Sequence, residues 1–369
     1  MGIVRSEERT KAELDHFRRM LKASAGFLHR RKDDRDHFNG SPFPYSGGDI
    51  DRAGLVCVTS GLSLLGIAVV NRLLARGYCV RIIVDNPDDL EKIAEMETNY
   101  CNVSAIMANL MDDGGESLAE AFKDCRGVFH TSAFIDPAGL SGYTKYMADI
   151  EAKASENVIK ACARSPSVKN CVLTSSLLTC VWRNSSTRHE TSSSCVINQD
   201  CWSDESLCRD KKLWYALGKL QAEKAAWKVA EENGLKMTSI CAGLITGPDF
   251  YSRNSTATTA YLKGAPEMYE SGVLATVDVN RLAEAHVCVF EAMNKKTSSG
   301  GRYICFDEII QDEEKAENLA RELSISKAKI CGTGASSNVR DRFQLSNGKL
   351  TSLMSTQLRP CYNESQLQF

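Results

Sequence analysis

From residue 55 onward, short apolar runs alternate with longer amphipathic ones. Residues 55–59, 80–84, 103–108, 127–131, 171–175 and 237–241 are strand-length and rich in apolar side chains. Helical periodicity fills the gaps. An apolar helix over 64–76 stops at Gly77, a residue suited to closing a helix. Pro87-Asp88-Asp89 reads as a helix start, with proline in the first turn. Residues 118–122 are helical, a long helix covers about 146–164, and an Ala-rich one over 215–233 closes at Gly234. Strands alternating with helices predict an α/β fold of Rossmann type, a doubly wound and mostly parallel sheet.

The alternation fades after about residue 244, where Gly247-Pro248 opens an irregular region. Helical pieces near 257–263 and 279–293 and a late strand at 301–305 follow. Such a part would cap the carboxyl ends of the strands, where substrates bind in open sheets. The pattern therefore divides into an N-terminal extension and linker (1–50), a Rossmann part (51–245), a smaller substrate-binding part (246–345) and a polar tail (346–369) that reads as frayed. The extension carries a loose apolar stripe at Leu14, Phe17, Leu21 and Phe27, then the breakers Asn39-Gly40-Ser41-Pro42.

Composition narrows the function. With 43% hydrophobic and 25% charged residues, the 369-residue chain is ordinary globular protein. A net charge of −2 creates no field for nucleic acid. The 15 cysteines include no Cys-x-x-Cys pair, and no secretory segment precedes them, so reduced cytoplasmic thiols are expected. The cysteines and six histidines lack zinc spacing, so no metal is expected. The apolar runs are too short to span a membrane. Met1-Gly2-Ile3-Val4-Arg5-Ser6 fits a myristoylation pattern, which would give weak membrane association if Gly2 is acylated.

The candidate chemistry lies at the strand ends. The run at 171–174 ends in Ser175-Ser176, and 39 residues later Tyr215 and Lys219 sit one helical turn apart. Tyr is a poor acid or base near neutral pH, and a neighbouring ammonium lowers its pKa. A serine at the strand end can hold a carbonyl oxygen. Ser176, Tyr215 and Lys219 are thus the candidate catalytic set for a nicotinamide-dependent reduction. The loop after the first strand, Thr59-Ser60-Gly61-Leu62-Ser63-Leu64-Leu65-Gly66, opens a helix suited to pyrophosphate. Ser60, Gly61, Ser63, Leu64, Leu65 and Gly66 are its candidate contacts. Serines at Ser60 and Ser63 put a Cβ where glycine is usual, and a strained φ there would weaken cofactor binding. Asp85, 19 residues after Gly66, would accept from ribose hydroxyls and favour NADH over NADPH, or would cap the helix begun by Pro87.

Together these residues resemble the extended short-chain dehydrogenase/reductase superfamily, in its plant cinnamoyl-CoA reductase and dihydroflavonol reductase branch. Further carriers are Gly127-Val128-Phe129-His130-Thr131, Cys201-Trp202-Ser203-Asp204, Ala222-Glu223-Lys224, Thr246-Gly247-Pro248 and Gly301-Arg302-Tyr303-Ile304-Cys305. The resemblance implies NAD(P)H as cofactor and a small-molecule substrate: a phenylpropanoid-type acyl-CoA, aldehyde or ketone, as in lignin biosynthesis. It also implies nucleotide contacts at Asn109, Leu110, Thr131, Ser132 and Ala133. Nicotinamide-side contacts are implied at Lys219 and Leu244. Two departures stand out. The family reads N-W-Y-C-Y-G-K around the tyrosine, where this chain has Leu213-Trp214-Tyr215-Ala216-Leu217-Gly218-Lys219. The family's second strand ends in arginine, where this chain has Asp85. Two functions therefore stay open: a reductase, or a weak or inactive homologue that binds nucleotide or acts through its surface.

Overall fold

The computed structural model describes residues 54–97, 102–112, 115–131, 142–183, 196–248, 250–295, 300–332 and 342–357. The 1–50 extension, the Gly2 pattern and the last residues lie outside them. Seven strands form one parallel sheet: β1 (Leu55–Val58), β2 (Cys79–Val84), β3 (Val103–Met107), β4 (Gly127–His130), β5 (Asn170–Ser176), β7 (Lys236–Ala242) and β10 (Gly301–Cys305). Their order is β10-β7-β5-β4-β1-β2-β3. Direction of travel reverses between β1 and β4, the switch point at which such sheets bind ligands.

Side chains alternate across the strands, and both faces are covered. Val56, Val58, Ile82 and Phe129 face α1 (Leu64–Ala75), and the same cluster takes in α11 (Val279–Asn294). Cys57, Ile83 and Val128 share the opposite cluster with α3 (Glu116–Phe122), α4 (Lys145–Arg164) and α7 (Trp214–Glu232). Phe290 of α11 is fully buried, 5.0 Å from the Phe129 ring and 5.8 Å from Tyr78. It also explains Gly127. A Cβ there would lie 2.2 Å from the Phe290 ring.

Past β7 the chain turns to smaller elements. β8 (Leu244–Thr246), β9 (Ala275–Asp278) and β11 (Glu308–Ile309) make a three-stranded sheet, and β6 (Val196–Ile197) pairs with β12 (Gln344–Leu345). Their core joins Leu177, Trp182, Tyr261, Met268 and Leu274. The polar tail needs correction at its start. Gly348–Gln357 is a helix, and its Leu350 and Met354 are buried in the α1–α11 cluster. Two apolar side chains a turn apart suffice to anchor it, despite polar surroundings.

One buried ion pair crosses the structure. Arg302 of β10 donates Nε to Glu223 of α7 at 2.8 Å, and Glu223 also accepts from Ser175 at 2.7 Å and Ser239 at 2.5 Å. The guanidinium reaches the Gln199 carbonyl at 2.9 Å, Thr179 Oγ1 at 2.9 Å and the Cys201 carbonyl, and stacks 3.6 Å over Trp202. The Cys201-Trp202-Ser203-Asp204 motif is thus structural. Ser203 ties Trp182 N and the Leu178 carbonyl, and Asp204 caps α6 (Glu205–Asp210).

Phe290→Ala is expected to cost about 3–5 kcal/mol, read as a lower urea midpoint at unchanged slope.

Candidate active site

The loop after β1 enters α1 through Ser63, whose backbone is extended (φ −69°, ψ 159°). Its Oγ accepts the Gly66 N–H at 3.0 Å and donates to the Ser60 carbonyl at 2.8 Å. Ser63 is therefore an ordinary helix N-cap. The expected strain is absent. Among the described residues, positive φ at non-glycine positions occurs at Asp124, Lys212 and Ser324, not at Ser60 or Ser63. The glycines carry the tight contacts instead. A Cβ on Gly66 would sit 1.8 Å from the Ser60 carbonyl oxygen, and one on Gly61 would sit 2.6 Å from Ile82. Leu64 and Leu65 begin α1.

Asp85 follows β2 and is exposed. It does not cap the next helix, α2 (Pro87–Glu97). Asn86 does, accepting the Asp89 N–H at 2.8 Å and donating back to the Asp89 carboxylate at 2.8 Å. Asn86 also donates to Asp85 at 3.1 Å. Arg81 is committed elsewhere, bonding the Ala121 carbonyl at 2.9 Å and the Lys123 carbonyl at 2.8 Å at the end of α3. Asn109 and Leu110 follow β3. Asn109 accepts the Met111 N–H at 2.9 Å, and the Leu110 carbonyl accepts from Asn157 at 3.2 Å. Thr131 follows β4 and is buried, and among the described residues its hydroxyl has no hydrogen-bond partner. Ser132 and Ala133 lie outside the described residues. Leu244 opens β8, buried beyond the end of β7.

Ser176 is the last residue of β5, aligned with Ala242 of β7. Its Oγ accepts the Leu178 N–H at 3.3 Å. Lys219 lies on the α7 face that packs toward β5; a small cavity there of about 10 Å³ is lined by Thr174, Ser175, Lys219, Glu151, Ser155 and Glu223. That is room for about one water. The Lys219 ammonium lies 5.8 Å from the half-buried Tyr215 ring centroid.

Sequence reasoning missed the partner of Lys219. Glu151 of α4, 3% exposed, pairs with the ammonium at 2.5 Å. Tyr143 donates to the other Glu151 oxygen, and its ring meets Tyr215 edge-on at 5.1 Å. A signal existed: Glu151 interrupts the buried stripe Ala148, Ala154, Ser155 and Val158 of α4. An acid in an apolar stripe needs a partner. Burial alone would push Lys219 down, but Glu151 outweighs it and holds the ammonium above its ordinary value. Burial pushes Tyr215 up. Lys219 pulls it back, as the i, i+4 spacing suggests, but Glu151 adds to the rise. The net direction for Tyr215 is therefore upward, opposite to the simple expectation.

Behind this group, His130 bridges Thr59 at 3.0 Å and Ser155 at 3.1 Å. Burial, with Lys219 adding to it, lowers its pKa to about 3. His286, bonded to Thr174 at 2.7 Å, is lowered by burial to about 4.

Comparison with known proteins places this arrangement. Residues 56–300 match the profile of the NAD dependent epimerase/dehydratase family. The chain belongs to that family. This member is 32% identical to cinnamoyl-CoA reductase 1 of Petunia hybrida over 274 residues, 72% of this chain and 77% of that protein. To tetraketide alpha-pyrone reductase 1 of Arabidopsis thaliana it is also 32% identical, over 72% of this chain and 80% of that protein. Among solved structures, vestitone reductase from alfalfa superposes with a TM-score of 0.56 at 23% identity, covering 81% of this chain and 92% of that one. Yeast methylglyoxal/isovaleraldehyde reductase Gre2, solved with NADPH, gives 0.58 at 19% identity over 83% and 94%. The family member is accordingly an NAD(P)-dependent oxidoreductase of the short-chain dehydrogenase/reductase type. Its strand ends fit a dinucleotide. The loop is tight at Gly61 and Gly66, and among the described residues the buried Thr131 hydroxyl lacks a partner.

Two expectations follow. Ser63→Ala should lower stability by about 1 kcal/mol through loss of the cap, whereas Ser63→Gly should cost only a few tenths. Neither relieves strain, so neither should tighten cofactor binding, which a fluorescence titration checks. Second, below pH 6.5 the unfolded chain protonates His130 and His286, which the folded chain refuses until about 3 and 4. Stability should therefore fall as pH drops through that window. Thermal melts read this, and a flat melting temperature would contradict it.

Proposed function

We propose that this reductase acts on the carbonyl carbon of a phenylpropanoid-type acyl-CoA, aldehyde or ketone, using Ser176, Tyr215 and Lys219. The observation carrying the reading is Lys219, a buried ammonium 5.8 Å from the Tyr215 ring on the helix packed against the strand that ends in Ser176. The name of the cinnamoyl-CoA reductase relative supports the acyl-CoA member of that class. When bound, NAD(P)H would be the source of the hydride that the carbonyl carbon accepts. Ser176 donates a hydrogen bond to the carbonyl oxygen and fixes it. Tyr215 gives its proton to that oxygen as negative charge develops there, and Lys219 stabilises the phenolate left behind.

For the cofactor, Ser60, Gly61, Ser63, Leu64, Leu65 and Gly66 would hold the pyrophosphate at the α1 N-terminus. Asp85, exposed and free of the capping role, would accept from the ribose hydroxyls and favour NADH. Asn109, Leu110 and Thr131 would line the adenine side, together with Ser132 and Ala133. Lys219 and Leu244 would line the nicotinamide side. One observation favours a second reading, a nucleotide-binding homologue with weak turnover: Glu151 already holds Lys219.

Separate fluorescence titrations with NADH and NADPH decide the first point. NADH should bind more tightly, and binding of neither at millimolar concentration would sink the reading. With a screen of hydroxycinnamoyl-CoAs, aldehydes and dihydroflavonols, Tyr215→Phe should cut turnover by about 10²–10⁴-fold while leaving cofactor affinity intact. An unchanged rate would remove Tyr215 from the mechanism.

A further inference from the structure

Glu151 lies outside every motif that identifies the fold, yet it touches the centre of the site. Its carboxylate is 3% exposed and uses both oxygens: one on the Lys219 ammonium at 2.5 Å, the other on the Tyr143 hydroxyl. Space is reserved for that second contact. A Cβ on Gly218 would lie 2.6 Å from the Tyr143 hydroxyl oxygen. Tyr143 in turn stacks edge-on against Tyr215. Four side chains from α7, α4 and the segment before α4 thus form one closed group.

We propose that Glu151 is a positioning residue of this site, clamping Lys219 and keeping Tyr215 in its protonated, proton-donating form. The inference rests on reading Tyr215 as the proton donor. A tyrosine beside a lone ammonium is driven toward phenolate, the form that takes a proton in alcohol oxidation. Beside an ammonium neutralised at 2.5 Å it stays a phenol, the form that reduction consumes. The clamp therefore extends to higher pH the range in which the proton-donating form is present.

Other groups facing the pair do not supply this effect. His130 approaches Lys219 from β4 but stays neutral. Glu223 borders the same cavity and is compensated by Arg302 at 2.8 Å. Tyr261 faces Tyr215 from α9 (Ser255–Tyr261), and Asp149 acts on Tyr143 rather than on Lys219. Glu151 is the carboxylate in contact with the ammonium. Removing its charge lowers the proton affinity of both Lys219 and Tyr215, so the sign of the shift is the same whichever group titrates.

The test follows near-ultraviolet phenolate absorbance of the cofactor-free protein against pH. The difference between wild type and Tyr215→Phe isolates the Tyr215 step. In Glu151→Gln that step should move down by about one pH unit or more. Glu151→Asp keeps the charge on a shorter arm and should fall between the two. If Glu151→Gln does not fold, Glu151→Asp carries the test alone. A Tyr215 step at or above its wild-type position overturns the proposal.

This readout needs no turnover, so a failed clamp and a failed proton donor are told apart. With cinnamaldehyde as probe, a second signature follows. The alkaline limb of the reductive kcat/KM profile should move down by about one pH unit in the variant, so that at a fixed alkaline pH the rate falls about tenfold and recovers at lower pH. General damage would lower the rate equally at every pH, and that result would also overturn the proposal.

Discussion

The buried pair of Glu223 and Arg302 is the constraint on which the site depends. Glu223 is fully buried, and its carboxylate is met by Arg302, Ser175 and Ser239. Two ions in a core attract strongly, but desolvation offsets much of that gain, so the pair adds little net stability. What it fixes is position. Tyr215, Lys219 and Glu223 recur every fourth residue along α7, on one face. Locking Glu223 to β5, β7 and β10 sets the rotation and height of the helix. Lys219 and Tyr215 inherit that setting, one and two turns nearer the strand ends.

Much of the fold was legible from sequence, because buried parallel strands are continuous apolar runs and the helices between them carry plain stop signals such as Gly77 and Gly234. The positions of Ser176, Tyr215 and Lys219 were legible for the same reason, since they fall at a strand end and in the first two turns of a helix. The effect of the serines in the cofactor loop was not. Whether a serine strains a turn depends on φ, and one that faces a free N–H becomes a cap instead. Asp85 and Asn86 show the same limit, because the choice between neighbouring acceptors for a helix start is made by backbone geometry. Glu151 was overlooked because its meaning depends on α4 packing against α7, a contact between positions far apart in the chain.

Electrostatics at the site oppose one another. Burial raises the tyrosine, the ammonium lowers it, and the carboxylate restores the rise. The chain thus keeps the residues proposed as a proton relay while surrounding Lys219 with a carboxylate. That combination differs from simple decay of a site, since Gly218 leaves room for the Tyr143 hydroxyl, which donates to Glu151.

The packing of α1 against α11 bears on how the protein is made. The apolar face of α1 is covered by Phe290 and its neighbours, roughly two hundred residues further along. On a ribosome, the first βαβ unit emerges long before its cover. Its apolar surface stays wet, or shielded by a chaperone, until α11 and then Leu350 and Met354 have left the exit tunnel. A nascent chain halted before residue 279 would carry the loop after β1 on a helix that rests on its sheet but lacks α11 beside it.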